Sequence, residues 1–201
     1  MSADRSPSTA IARGAVASIS AAVLFAFSTV LVQIAPVSQT YDSTSSYINS
    51  VIVALAFIAA AVGLVGINAA HHGDSKFGRL GALGGWVAIA GCVIVALHTV
   101  YAMIVGDGQS AVVVRIGAAV ALAIGSIVLG ILALRARVLP WWCGVLLIVA
   151  FPFGDIAEAA VAGLEGLLLA LLWGSVGAAL LRLRSASTSA QRIPADAHGS
   201  N

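Results

Sequence analysis

Five ionisable side chains stand inside otherwise apolar runs of this 201-residue chain: His98, Arg115, Asp155, Glu158 and Glu165. A charge at the centre of a helix in hydrocarbon costs about 2.5–3.5 kcal/mol on insertion scales, so each of the five needs a partner, a route to water or a task. Glu158 and Glu165 are two helical turns apart and Asp155 is only slightly rotated from them, so on a single helix the three form one acidic stripe. Arg115 is the buried cation available to that stripe. The expectation is that Arg115 pairs with Glu158, and that the deeper Glu165 is left as the proton-binding group. His98, with Tyr101 one turn on, can join the same network.

Blander roles for these residues stay open. Arg115 can snorkel to the outer headgroups, Asp155 can cap a sixth helix at its positive end, and His98 can be a hydrogen-bonded packing residue. Glu165 is the hardest to set aside, because its short side chain cannot reach water from mid-bilayer.

These residues meet only if the apolar runs are helices that cross a bilayer. The chain is 60% hydrophobic and 9% charged, against about 25% charged residues in a soluble domain, and only lipid hides that much apolar surface. A net charge of +2, scattered along the chain, is too small to suggest a nucleic-acid surface, and no nucleic-acid partner is expected. About 20 apolar residues of helix cover the roughly 30 Å hydrocarbon layer. The runs that qualify are 14–36, 48–70, 80–106, 111–134, 138–154 and 156–181, the fifth being the shortest, with Pro152 expected to break or cap it. The chain therefore reads as an all-α, six-transmembrane-helix bundle over residues 10–184, flanked by disordered tails at 1–9 and 185–201.

Orientation follows from the basic residues. Nine of the ten, all except Arg115, fall at the N-terminus, in the turns after the second and fourth runs, or after the sixth. The positive-inside rule then places both termini in the cytoplasm. An N-terminal apolar run behind basic residues also suggests a secretory signal, but 23 uncharged residues exceed the 7–15 of a signal core. From the outer surface inward, at about 1.5 Å per residue, Arg115 lies roughly 6 Å deep, His98 roughly 10 Å and Glu165 roughly 14 Å. Tyr41 and Tyr47, in the Ser/Thr-rich loop 37–47, fit the headgroup layer.

Small residues recur at four-residue spacing: Gly81 with Gly85, Gly117 with Ala121 and Gly125, Ser126 with Gly130, and Ala170 with Gly174 and Ala178. Such stripes let helix backbones approach in lipid, within the bundle or toward a homo-oligomer or membrane partner. The second, fourth and sixth runs also finish alike, with Gly66, Gly130 and Gly177 each five residues before His71, Arg135 and Arg182. That pattern fits a duplicated hairpin, and it fits equally the cations that any inward-running helix collects at its end.

The stretch from Gly130 through Arg135, Arg137, Leu139, Pro140, Trp141, Trp142 and Gly144 to Ala150 resembles a hairpin of several groups of small multipass bacterial membrane proteins. The resemblance covers about a tenth of the chain and implies the membrane class, without an activity or a site; the whole chain is read as a protein of a bacterial inner membrane.

Other chemistries lack their parts. His71, His72 and Asp74 form no complete metal-ligand set, and His71 and His98 lie at different depths, which disfavours a haem. Cys92 and Cys143 are likewise at different depths, so no disulfide is expected. Gly125-Ser126 has no partner histidine for nucleophilic catalysis. No cofactor is expected, and an enzyme is the less favoured class. Two functions remain: a small permease or proton-coupled transporter for a small solute, using the intramembrane carboxylate, and a non-catalytic accessory or scaffold protein whose acidic stripe is satisfied inside the bundle.

Overall fold

The computed structural model describes residues 7–35, 37, 41–161 and 163–191, and the side chains of these except Pro7, 155–160 and 187–191. Six helices follow one another: α1 (Pro7–Ile34), α2 (Thr44–Ala70), α3 (Gly78–Val105), α4 (Val112–Ala136), α5 (Trp141–Ala160) and α6 (Leu164–Gln191), with no strand among the described residues. Five are long and apolar enough to cross a membrane; α5 carries a shorter apolar stretch, Trp141–Gly154, within a 20-residue helix about 30 Å long. Large apolar side chains such as Phe27, Leu55, Leu97, Ile124 and Leu171 are exposed around the bundle. In water that surface would drive aggregation, whereas in a bilayer it is the lipid-facing surface. The chain is an integral, multipass membrane protein.

Each helix packs on its neighbours in sequence, α6 closes back on α1, and α2 also touches α6. The result is a ring of six antiparallel helices. Alternation places the start of α1, the α2–α3 and α4–α5 turns and the end of α6 at one end, which carries Arg13, Lys76, Arg79, Arg135, Arg137, Arg182 and Arg184. In the half toward this basic end the ring is filled: Leu64, Ile67, Leu129, Leu147, Leu172, Trp173 and Val176 are all fully buried. Gly14 of α1 meets Gly66 of α2, and Gly130 of α4 meets Gly144 of α5, at backbone contact.

Three boundaries differ from the reading of the sequence. Helix α5 does not stop at Pro152 but runs through it to Ala160, and the chain turns instead at Gly163, whose φ of 83° is accessible to glycine at little steric penalty. Asp155 and Glu158 therefore belong to α5 and not to the sixth helix, and they do not share a helix with Glu165. Helix α2 begins at Thr44 because the Ser43 hydroxyl accepts from the Ser46 N–H and caps it. Residues 7–9 and 185–191, read from the sequence as parts of the tails, are helical; the remainder of both tails lies outside the described residues.

At the basic end His71 follows the last turn of α2 and is 2% exposed, although its neighbour His72 is exposed. Its ring stacks on Phe77 at 4.4 Å and its Nδ1–H donates to the Ile67 carbonyl at 2.9 Å. Its Nε2 makes no hydrogen bond among the described residues. Asp74 shapes the adjoining turn by accepting from the backbone N–H groups of Lys76 and Phe77. Burial lowers the His71 pKa from its ordinary 6.5, outweighing the Ile67 carbonyl and Asp74, which both act to raise it. The folded protein thus holds a neutral ring, while the unfolded chain takes up the proton first as pH falls. This contribution to stability is intact above pH 6.5 and is lost progressively below it. Thermal melts at about pH 7.5 and about pH 5 are expected to show a larger acid-induced drop for the native protein than for His71→Phe, and equal drops would refute the assignment.

Candidate functional site

In the half away from the basic end the ring is not filled. A cavity of about 700 Å³ occupies it, lined by residues from all six helices. Its walls share a gradient with depth. On α1, Ser28 and Thr29 stand above Phe25; on α2, Asn49 and Ser50 stand above Val53 and Phe57. On α3, His98 and Thr99 stand above Val95; on α4, Arg115 above Ala119 and Leu122; on α6, Glu165 above Leu169. Polar groups form a belt with apolar ones beneath it as a floor, and Val32 of α1 and Ala102 of α3 stand above the belt. On the floor Phe25 and Phe57 meet edge-to-face at 5.3 Å, and Phe151 packs on the buried Trp173 at 6.4 Å.

Hydrogen bonds hold the belt. The Ser28 hydroxyl donates to Asn49 Oδ1 at 2.7 Å, which joins α1 to α2 and leaves the Asn49 amide donors to the cavity. The Thr29 hydroxyl lies 3.0 Å from the Phe25 carbonyl and 3.3 Å from that of Gly163, so α1 also braces the turn into α6. Ser50 donates to the Tyr41 hydroxyl at 3.0 Å, and Tyr41, against Tyr47 at 5.1 Å, borders the cavity.

The residues singled out from the sequence divide into three groups. Glu165, Arg115 and His98 all line the cavity, but Arg115, expected as a buried cation, is exposed. Asp155 and Glu158 lie on α5 with their side chains outside the described residues, as does the expected Arg115–Glu158 pair. Tyr101 is 49% exposed and is not among the lining residues. His98 is 7% exposed and its Nε2–H donates to the Ser110 carbonyl at 2.9 Å, tying α3 to the α3–α4 turn.

Glu165 stands at the start of its helix and not more than two turns within it, as the run 156–181 implied. It sits in the first turn of α6, where a carboxylate complements the positive end of the helix. Flanking Gly163 and Gly166 both lie against Thr29, five residues from the end of α1, roughly 8 Å along the helix axis. Gly154 of α5 faces it so closely that a Cβ there would come within 2.9 Å of Glu165 Cγ. The carboxylate is partly buried, on the wall of the cavity.

No family model, curated protein or solved structure matches this chain. The chemistry of the site is therefore argued from its own groups. Among the described residues Arg115 and Glu165 are the charged side chains on the cavity wall, and no group of three metal-ligating side chains occurs. Neutral polar residues supply most of the belt; sequence reading passed over Ser28, Thr29, Asn49 and Ser50, and gave Tyr41 to the headgroup layer. Their signal was present: hydroxyl and amide side chains within two turns of the same end of α1 and α2.

Proposed function

We propose that the protein is a small solute permease, with the cavity as its solute chamber and Glu165 as the carboxylate that solute and proton engage in turn. One observation carries this reading: Glu165 lines a chamber that is roomy at one end of the ring, while the other half is packed shut. A non-catalytic scaffold has no use for about 700 Å³ of polar-walled space, a volume within the range of small-molecule sites. By the positive-inside rule the chamber faces the outside of the cell and the filled half faces the cytoplasm. On this reading the chamber opens outward, and transport requires the seams at the basic end to part.

The test is flux in vesicles reconstituted with purified protein, read with a pH dye in the lumen under an inward proton gradient and a panel of small solutes. Glu165→Gln keeps the shape and removes the charge. Hydrogen bonds to a charged group contribute about 1.5–3 kcal/mol, so solute-driven proton entry is expected to fall about 10- to 100-fold. Equal flux in native, Glu165→Gln and empty vesicles would reject the permease and leave the scaffold reading.

A further inference from the structure

We propose that the α2–α3 seam at the basic end is a proton-sensitive inner gate, plugged by Asn68 and a neutral His71 when dry and opened to the cytoplasm in acid. Its role as the exit of the chamber rests on the permease reading, whereas its opening can be read without any solute.

The way the seams are closed is the first ground. Gly14 on Gly66, Gly125 on Ala88 and Gly130 on Gly144 bring main chain against main chain between α1 and α2, α3 and α4, and α4 and α5. Such contacts part only if whole helices move. Between α2 and α3 the basic end is closed by side chains instead. The Asn68 amide fills the space where a Cβ of Gly85 would stand, and the Phe77 ring, stacked on His71, lies 2.8 Å from where a Cβ of Gly81 would be. Side chains leave such notches by changing rotamer, so this seam can open without displacing the α1–α2 contact.

Unsatisfied polarity is the second ground. Both polar atoms of Asn68 and the Nε2 of His71 are shielded from solvent and make no hydrogen bond with a described residue. An amide has two donors and two acceptor lone pairs, and leaving such groups unpaired in a low-dielectric interior is costly. Water entering the seam supplies the missing partners, so the closed state carries a bias toward opening that apolar plugs would lack.

The ring supplies the trigger. His71 is 2% exposed, and its Nδ1–H is already given to the Ile67 carbonyl. A second proton goes to Nε2, where the closed seam offers no acceptor among the described residues, and the imidazolium then requires water. Burial disfavours that proton, against the opposing pull of Asp74 in the adjoining turn. The other described charged or titratable groups at this end of the segments packed around it, Arg13, His72, Lys76, Arg79, Arg182 and Arg184, are exposed. A hydrated ring takes its proton nearer the ordinary 6.5, so acid below that value favours the open gate.

Cys92 is a native reporter beneath the gate. It lies on the same face of α3 as Gly85, two turns deeper, is fully buried and does not line the chamber. Cys143, also fully buried, belongs to α5, which touches neither α2 nor α3. Inverted membrane vesicles carrying the full-length protein are treated with a membrane-impermeant maleimide at about pH 7.5 and about pH 5.5. Labelled positions are located by peptide mass spectrometry, and each rate is divided by that of Ser185→Cys at the same pH, which removes the common pH dependence of thiols. Acid is expected to raise the relative rate at Cys92 about tenfold and to leave Cys143 unchanged. His71→Phe, which keeps the stack and takes up no proton, is expected to abolish the rise. Asn68→Leu, a plug of similar size without unpaired groups, is expected to lower Cys92 labelling at both pH values. A flat Cys92 rate, a rise shared by Cys143, or either folded variant labelling like the native protein would overturn the proposal. Should a variant fail to fold, the comparison of the two native thiols decides alone. Acid-dependent opening in a protein that moves no solute would reject the permease and retain the gate, and Glu165-dependent flux with a flat Cys92 rate would do the reverse.

Discussion

Gly66→Leu is expected to leave little folded monomer. Gly66 of α2 and Gly14 of α1 touch through their backbones: a Cβ built on Gly66 would lie 2.7 Å from the Gly14 Cα, and one on Gly14 would lie 2.5 Å from the Gly66 Cα. Overpacking a tight interior costs about 1–3 kcal/mol where neighbouring side chains can yield, and here the atoms met are main chain, so the upper end of that range or more applies. The new side chain would also press on Leu180 of α6, whose Cδ1 is already 3.3 Å from the added Cβ position. Three helices therefore have to part, in a protein whose total stability is of order 5–15 kcal/mol. Gly117→Leu is the matched control, because nothing lies within 4 Å of a Cβ there and the position is exposed on α4. Denaturant unfolding in micelles, read by tryptophan fluorescence, and the monomer fraction on size exclusion compare the two. Equal stability of both variants would mean that the α1–α2 seam is not a main determinant of the fold.

Six helices and their order were legible in the sequence because each apolar run is long and its ends are marked by charge, and the ring follows once consecutive antiparallel helices pack. The end of the fifth helix depends on two backbone signals eleven residues apart, Pro152 and Gly163, and the sequence reading used only the first. Pro152 has the stronger local effect on an isolated helix, since it removes an N–H and crowds the preceding turn. Within a membrane, however, a helix that ended there would expose free backbone groups to hydrocarbon, so the helix continues and the chain turns only at Gly163. That shift moved Asp155 and Glu158 to α5 and brought Glu165 to the mouth of α6. The glycine stripes were legible in kind and not in partner. Gly85 does lie on Asn68 of α2 and Gly125 on Ala88 of α3, yet Gly117 meets nothing, and the backbone contact of Gly14 with Gly66 falls on a repeat, Gly14 with Ser18 and Ala22, that the reading passed over. Spacing within one helix says which face is smooth, and only the neighbouring helix decides where two smooth faces meet. The same three glycines that end α2, α4 and α6 alike, Gly66, Gly130 and Gly177, each contact an adjacent helix, so close packing is one shared reason for that pattern.

A thiol placed on the chamber wall is expected to react with a membrane-impermeant maleimide, whereas the native thiols do not. Cys92 and Cys143 are fully buried and neither lines the cavity, so the unmodified chain supplies an inert background. Thr99 is on the wall, two turns from Cys92 along the same helix, and Thr99→Cys is nearly isosteric. Thiol reactivity follows exposure and thiolate character, and water in the chamber favours both, so labelling of Thr99→Cys is expected to exceed that of the native protein by about tenfold or more. Ser185→Cys, exposed near the end of α6 on the opposite side of the bundle, is the companion variant. In intact cells the reagent is expected to reach position 99 and not position 185, and in inverted vesicles the reverse. Labelling of both from one side would contradict the antiparallel ring together with its placement across the membrane. Absence of labelling at 99 until the protein is denatured would show a chamber closed to water, and without water neither a solute nor a proton can reach Glu165.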